Sequence, residues 1–211
     1  MTVGGREFVE GGASPSVDAG ARVSASLPLG YRATLVERGS WELVSAVLEA
    51  RDPHTAARLD DLRSTEWVSL RVHVSLVDAA GAALGLEAVR ELGFARTQAN
   101  TMGGLFPSLL RSWVRSFRSN PASLFGIGPQ IWQVGFRDAG ELLLRDQHAD
   151  RARVQIVDCR LLAGSPAWQQ AIEGAAAGIL RLAGLEERVT SRSDGVSTTD
   201  FWAEWGTPSD G

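Results

Sequence analysis

The stretch SPAWQQAIEGAAAGILRLAG, residues 165–184, constrains the fold more than any other. Ser165 reads as a helix N-cap, Pro166 as the first helical residue and Gly184 as the residue that ends the helix. Gly174 and Gly178 lie inside, where each costs about 1 kcal/mol relative to alanine. Packing must return more than that. Trp168, Ile172, Ala175, Ile179 and Leu182 step by four and three and make one apolar stripe. Gly174, Ala177 and Gly178 form a second side of small residues. Only Gln169, Gln170, Glu173 and Arg181 are polar, so the helix is apolar nearly all round and belongs at the centre of a fold. The large stripe is expected to cover a sheet. The glycine side admits another backbone, from this chain or a second copy, because no Cβ intervenes. The alternative is a cavity wall kept open by small side chains.

The neighbouring sequence supplies the sheet. After Gly140 the apolar period changes from 3.6 to 2. ELLLRDQHADRARVQIVDC reads as two strands turning near Gln147 to Asp150, and EERVTSRSDGVSTTDFWAEW as a hairpin turning at Asp194-Gly195. Upstream the pattern is helical. Ser40 starts a helix carrying Trp41, Leu43, Val44, Val47 and Leu48. Asp52-Pro53 starts one with Ala56, Leu59 and Leu62, and Ser64 a third with Trp67, Leu70, Val74 and Val77. Residues 84–100 read as a short helix closed by Gly93, then a second approach to helix. In residues 104–120, Phe106, Leu109, Leu110, Trp113 and Phe117 face one way and Arg111, Arg115 and Arg118 another. Residues 122–136 read as helix broken at Pro129. YRATLVERG, residues 31–39, reads as a strand. Helices followed by antiparallel strands define an α+β fold: N-terminal helices, then a four-stranded antiparallel sheet of two hairpins with a central helix between them. Residues 1–28 are expected to be a flexible tail with room for one short strand, 29–205 a single domain and 206–211 a disordered tail.

Composition narrows the chemistry. All 21 basic residues are arginine, which excludes a Schiff-base lysine, a P-loop lysine and a kinase-type lysine. The single cysteine, Cys159, excludes an intramolecular disulfide and a multi-cysteine metal site. A net charge of −4 argues against non-specific nucleic-acid binding. No run of eighteen apolar residues is present to span a membrane, and the first twenty residues lack a signal-peptide core. The expected location is cytoplasmic. Neither a cofactor nor a metal is expected. His54 and His73 lie on different helices without an i,i+4 ligand partner. Asp146, His148 and Asp150 read as a polar turn rather than a cation site. No Gly-x-Ser-x-Gly elbow is present, no pair of acids has a spacing suited to acid–base work, and GIGPQIW is an isolated glycine pair.

One segment departs from the average. Leu92 to Arg137 contains no Asp or Glu, where composition predicts about five acids, yet it holds Arg96, Arg111, Arg115, Arg118 and Arg137. Arg111, Arg115 and Arg118 share a helix face with no acid at i±4, which reads as a site for an acidic partner surface or an anionic ligand, or as a solvated face. Phe117 and Trp132 are candidates for an adjoining apolar wall.

The order hairpin, SPAWQQAIEGAAAGILRLAG, ERVTSRSDG and closing strand TDFWAEW, with EWVSLRVHVSLVDAAGAALGLEAVRELGFA upstream, resembles the fold group of 4-vinyl reductase domains, haem-nitric-oxide-binding domains and transport-particle subunits. Within that group it is similar to a family of myxobacterial paralogues of unknown function. The resemblance spans roughly residues 60–205 and rests on the Gly-x-x-x-Gly helix, RSFRSN and the closing aromatic strand. It implies an α+β fold, frequent dimers, a small-molecule cavity in some members, and roles as sensors or interaction modules. The haem-binding branch carries a proximal histidine and a Tyr-x-Ser-x-Arg motif; here the one tyrosine, Tyr31, is followed by Arg32 and Ala33 far upstream of the motif's place. The late cysteines of the 4-vinyl reductase branch are also missing. The expected function is a non-catalytic regulatory or sensory module, a homodimer that binds an acidic protein partner or a small ligand. The alternative is an enzyme of unrecognised type, using Cys159 or His148 on a small molecule in a cavity beside the 165–184 helix.

Overall fold

The computed structural model describes residues 20–103 and 122–206. The chain enters as strand β1 (Arg22–Ser24), followed by α1 (Ser26–Glu37), α2 (Trp41–Arg51), α3 (Pro53–Asp60), β2 (Trp67–Ser69), α4 (Leu70–Leu84) and α5 (Leu86–Gly103). After residue 122 come α6 (Ala122–Gly126), α7 (Gly128–Gly135), β3 (Phe136–Arg137), β4 (Glu141–Gln147), β5 (Arg151–Val157), α8 (Arg160–Ala163), α9 (Pro166–Leu182), β6 (Glu186–Ser193) and β7 (Thr199–Gly206).

The two hairpins form the expected four-stranded antiparallel sheet, in the order β4-β5-β7-β6. Thr199, Phe201, Ala203 and Trp205 alternate inward along β7, and Val154 and Ala152 of β5 pair with Phe201 and Ala203. Helix α9 lies over this face, with Ala177 and Leu180 in one apolar cluster with Val189, Ala203 and Trp205. Ser165 caps α9 by accepting from the Trp168 amide at 3.0 Å. Its hydroxyl also donates to Asp78 of α4 at 2.5 Å, fastening the start of α9 to the helical half.

The glycines of α9 are explained by α5 of the same chain. A Cβ at Gly174 would run into the Arg90 carbonyl and lie 3.0 Å from the Phe94 amide nitrogen; one at Gly178 would lie 3.0 Å from the Phe94 carbonyl oxygen. The closest packing therefore falls on the small-residue side. Ala167, Ala171, Gly174, Ala177 and Gly178 are buried, while Ile172, Ala175, Ile179 and Leu182 of the expected large stripe are only half-buried.

Four expectations change. The tail does not reach residue 28: Ala21, Val23 and Ala25 are buried, with β1 as the middle strand of a second sheet, β2-β1-β3. Residues 31–39 are not a strand but the second half of α1 and its end, because Tyr31 and Leu35 stack one turn apart against the core. Helix α4 starts after Ser69, not Ser64, since Trp67–Ser69 pairs with β1. Gly93 does not close a helix: α5 runs through it, and a Cβ there would strike the Ala171 carbonyl of α9. Residues 1–19 and 207–211 of the expected tails lie outside the described residues.

Asp52 caps α3 as its sequence position requires, accepting from the Thr55 amide at 3.0 Å and from the hydroxyls of Thr55 and Ser75 at 2.8 Å each. The last bond ties α3 to α4. Asp52→Ala removes the cap and strands a half-buried hydroxyl, and it should lower unfolding free energy by about 2 kcal/mol in urea titrations.

Candidate functional site

The main core is almost wholly aliphatic, with Val23, Leu35, Val44, Leu70, Leu76 and Val77 fully enclosed. The buried polar groups Thr34, Thr55, Ser165, Glu173 and Thr199 are scattered through it, while Tyr31 from α1, His73 from α4 and Arg96 from α5 are neighbours. Tyr31 is 2% exposed and His73 6% exposed. Arg96 is half-buried as a residue, but its Nη1 is enclosed. The Tyr31 hydroxyl, His73 Nδ1 and Arg96 Nη1 are buried and have no hydrogen-bond partner among the described residues. A fourth such atom, Thr199 Oγ1, lies on β7.

Local structure explains how the three meet. Arg96 Nη2 donates to the Ser26 carbonyl at 3.1 Å, which carries the guanidinium across the start of α1. It passes over Gly30, where a Cβ would fall 2.7 Å from Arg96 Cζ and push the guanidinium aside. Tyr31 is the next residue. The His73 ring stands edge-on between Tyr31 and Trp168, with centroids at 6.0 and 5.9 Å. Trp168 leads on to Trp132 at 6.3 Å, and Trp132 stacks on Phe136 at 4.0 Å.

The electrostatics follow from burial and from one uncompensated charge. No carboxylate pairs with Arg96 among the described residues, and residues 104–121 contain no Asp or Glu. Burial lowers the Arg96 pKa to about 10, opposed by Tyr31. Burial, reinforced by the Arg96 charge, pushes His73 down to about 3, so its imidazole is neutral at pH 7. Burial raises the Tyr31 phenol, against the charges of Arg96 and Arg38. The cluster thus offers one cation, one phenolic donor and one neutral imidazole.

Of the residues singled out by sequence, Arg111, Arg115, Arg118 and Phe117 lie outside the described residues. Trp132 is 7% exposed and donates from Nε1 to the Gly140 carbonyl at 3.3 Å. It is a wall of the interior aromatic stack and presents no face to a partner. Cys159 is 1% exposed, at the Glu141 end of the β4–β5 hairpin. His148 sits in the turn at the other end, 3.0 Å from Asp146. Residues 152–157 of β5 separate them by roughly 20 Å at strand rise, so they form no catalytic pair. Among the described residues no group of three His, Cys, Asp or Glu side chains could hold a metal ion. No helix there is long and apolar enough to cross a membrane. A cleft of about 360 Å³ at the end of the second hairpin, lined by Asp150, Arg188, Glu204 and Trp205, lies apart from the interior cluster.

No protein-family model matches the chain, and no curated protein matches it in sequence. Its fold does have relatives of known structure. An unliganded Fe(II) H-NOX protein from K. algicida superposes over 87% of this chain and 96% of its own, at 9% identity and a TM-score of 0.63. An oxygen-binding H-NOX domain related to soluble guanylate cyclases superposes over 88% and 96%, at 12% identity and 0.55. An H-NOX structure from T. tengcongensis covers 88% and 98%, at 13% identity and 0.55. The chain therefore has the H-NOX fold.

Two further H-NOX structures of similar fold concern haem distortion and haem redox potential, so the fold poses the question of haem here. The residues of this chain do not fit it. His73 is the one buried histidine, and it is wedged in the core between the Tyr31 and Trp168 rings. His54 and His148 are exposed, and residues 104–121 contain no histidine. Arg32, which follows Tyr31, points away from the cluster, pairing with Asp60 at 2.9 Å and donating to the Leu59 carbonyl at 3.2 Å.

Proposed function

We propose that the protein is a non-catalytic sensory module of H-NOX fold that takes a small polar ligand, without haem, at the Tyr31–His73–Arg96 cluster. The observation that carries this reading is the set of three enclosed, unpartnered polar atoms on neighbouring residues of three different helices. A buried polar group without a partner costs about 1–3 kcal/mol, and three at one place amount to a standing demand for a guest. Trp168 gives the site an output. It touches His73 and sits in the first turn of α9, which covers the sheet and packs against α5. A ligand that moves His73 moves the helix joining both halves of the molecule. Homodimerisation, an acidic partner for the Arg111, Arg115 and Arg118 face, and kinship with the myxobacterial paralogues belong to the same proposal and are supported by sequence.

The test is a two-dimensional amide NMR spectrum of the dialysed protein before and after addition of the low-mass ultrafiltrate of a host lysate. The amides of Tyr31, His73, Arg96 and Trp168 should shift together, and Tyr31→Phe should reduce the shift. An unchanged spectrum, or changes confined to surface residues, overturns the reading.

A further inference from the structure

Building on that interior site, we infer that its ligand is a small monovalent anion of the halide, nitrite or formate class, held by the Arg96 guanidinium together with the Tyr31 hydroxyl and His73. The argument is charge balance in a low-dielectric place. Arg96 gives one of its donors to the Ser26 carbonyl and keeps Nη1 enclosed with no acceptor. The one other charge bearing on Tyr31 is Arg38, which is also positive and lies 3.5 Å from Glu91 on the exposed side. A buried cation is stable when a counter-charge and hydrogen bonds come with it.

One negative charge neutralises the single enclosed guanidinium. A divalent anion would leave an uncompensated charge behind and carry a desolvation cost several times larger. A neutral molecule would satisfy the hydrogen bonds and leave the cation alone. Packing points the same way. The guanidinium lies against Gly30 and Trp168 packs on His73, so a larger guest would have to displace one of them. The phenol donates to such an ion, and the imidazole donates through Nδ1, in the tautomer that carries its proton there.

The experiment follows thermal unfolding midpoints and calorimetric binding with sodium chloride, nitrite and formate, at ionic strength held constant with sodium gluconate. Gluconate is monovalent but too large to enter. Wild type should show saturable stabilisation by the small anions over gluconate and none by sulfate. Tyr31→Phe should bind about tenfold more weakly, the loss expected of one charge-assisted hydrogen bond. Arg96→Met, which keeps the apolar stem, should abolish the effect; if that variant does not fold, Tyr31→Phe decides. Equal stabilisation by gluconate, or undiminished binding in both variants, overturns the inference. Saturable binding of neutral formamide or imidazole, lost in Tyr31→Phe, would overturn the anion class while leaving the interior-site reading intact. A lysate ultrafiltrate that shifts the site's amides while the three anions do not has the same meaning.

Discussion

Gly174→Ala should destabilise the protein by about 3 kcal/mol, although alanine is the better helix former by about 1 kcal/mol. The sign is set by what the new methyl group meets. It would run into the carbonyl of Arg90 and lie 2.8 Å from that residue's carbonyl carbon and 3.0 Å from the Phe94 amide nitrogen. These are backbone atoms of α5, inside its hydrogen-bonded ladder, and they cannot rotate aside as a side chain would. Relief requires α5 and α9 to separate. Gly93, whose Cβ would strike the Ala171 carbonyl, and Gly178 hold the same contact on either side, so separation at one point loosens the whole seam. Gly126 is the control: it ends α6 with nothing within 4 Å of a Cβ, and Gly126→Ala should be neutral or slightly stabilising. Urea titrations of both variants make the comparison. Equal effects would mean that the seam yields easily, and the account of the glycines would be lost. The functional consequence is separate. Arg96 is on α5 and Trp168 on α9, so a loosened seam should also weaken anion binding.

Which parts of this fold were legible depends on how far apart the informative residues lie. The hairpins and α9 each carry their signal within about twenty residues: alternation in ELLLRDQ and TDFWAEW, a cap and two glycines in SPAWQQAIEGAAAGILRLAG. The β2-β1-β3 sheet was not visible because its strands have 3, 3 and 2 residues, too few for a period of two to register. Trp67 moreover falls in helical step with Leu70 and Val74, which hid β2 inside α4. Residues 31–39 of helix α1 read locally as a strand because their branched and aromatic residues favour strands, a preference that packing overrides. The interior cluster is the clearest case of information that only the fold assembles. Tyr31, His73 and Arg96 are single residues on three helices, and none has a motif around it. One signal was nevertheless present. The acid-free run Leu92 to Arg137 begins with Arg96, and the absence of carboxylates was read as a property of the outer face at Arg111, Arg115 and Arg118. At Arg96 the same absence leaves a cation unpaired inside the molecule.

In gluconate buffer, with the proposed small anion absent, stability should fall as pH drops from 7 to 5, by about 2 kcal/mol from His73 alone. Its pKa is lowered from 6.5 to about 3 in the folded protein by burial and by the Arg96 charge. Above pH 6.5 the imidazole is neutral in both the folded and the unfolded chain and contributes no slope. Below 6.5 the unfolded chain takes up a proton that the folded chain refuses. Each further pH unit then favours unfolding by about 1.4 kcal/mol, until the folded pKa is reached. Integrated down to pH 3 the term is about 5 kcal/mol, comparable with the whole stability of an ordinary domain. Carboxylates such as Asp52, whose pKa is held low by its Thr55 and Ser75 bonds against the opposing effect of burial, act below pH 5 and add no slope from 7 to 5. The groups facing His73 reinforce the trend: Arg96 repels a second positive charge, and Tyr31 and Trp168 bring none to offset it. His73→Phe keeps a ring between Tyr31 and Trp168 and removes the titration, so the decline seen in the wild type should vanish in matched urea experiments; Asp78, whose carboxyl pKa burial raises, adds a slope of opposite sign to both proteins. A parallel decline in both proteins would show that the folded core accepts the imidazolium. In a site with a guanidinium beside it, that requires a negative charge already in place.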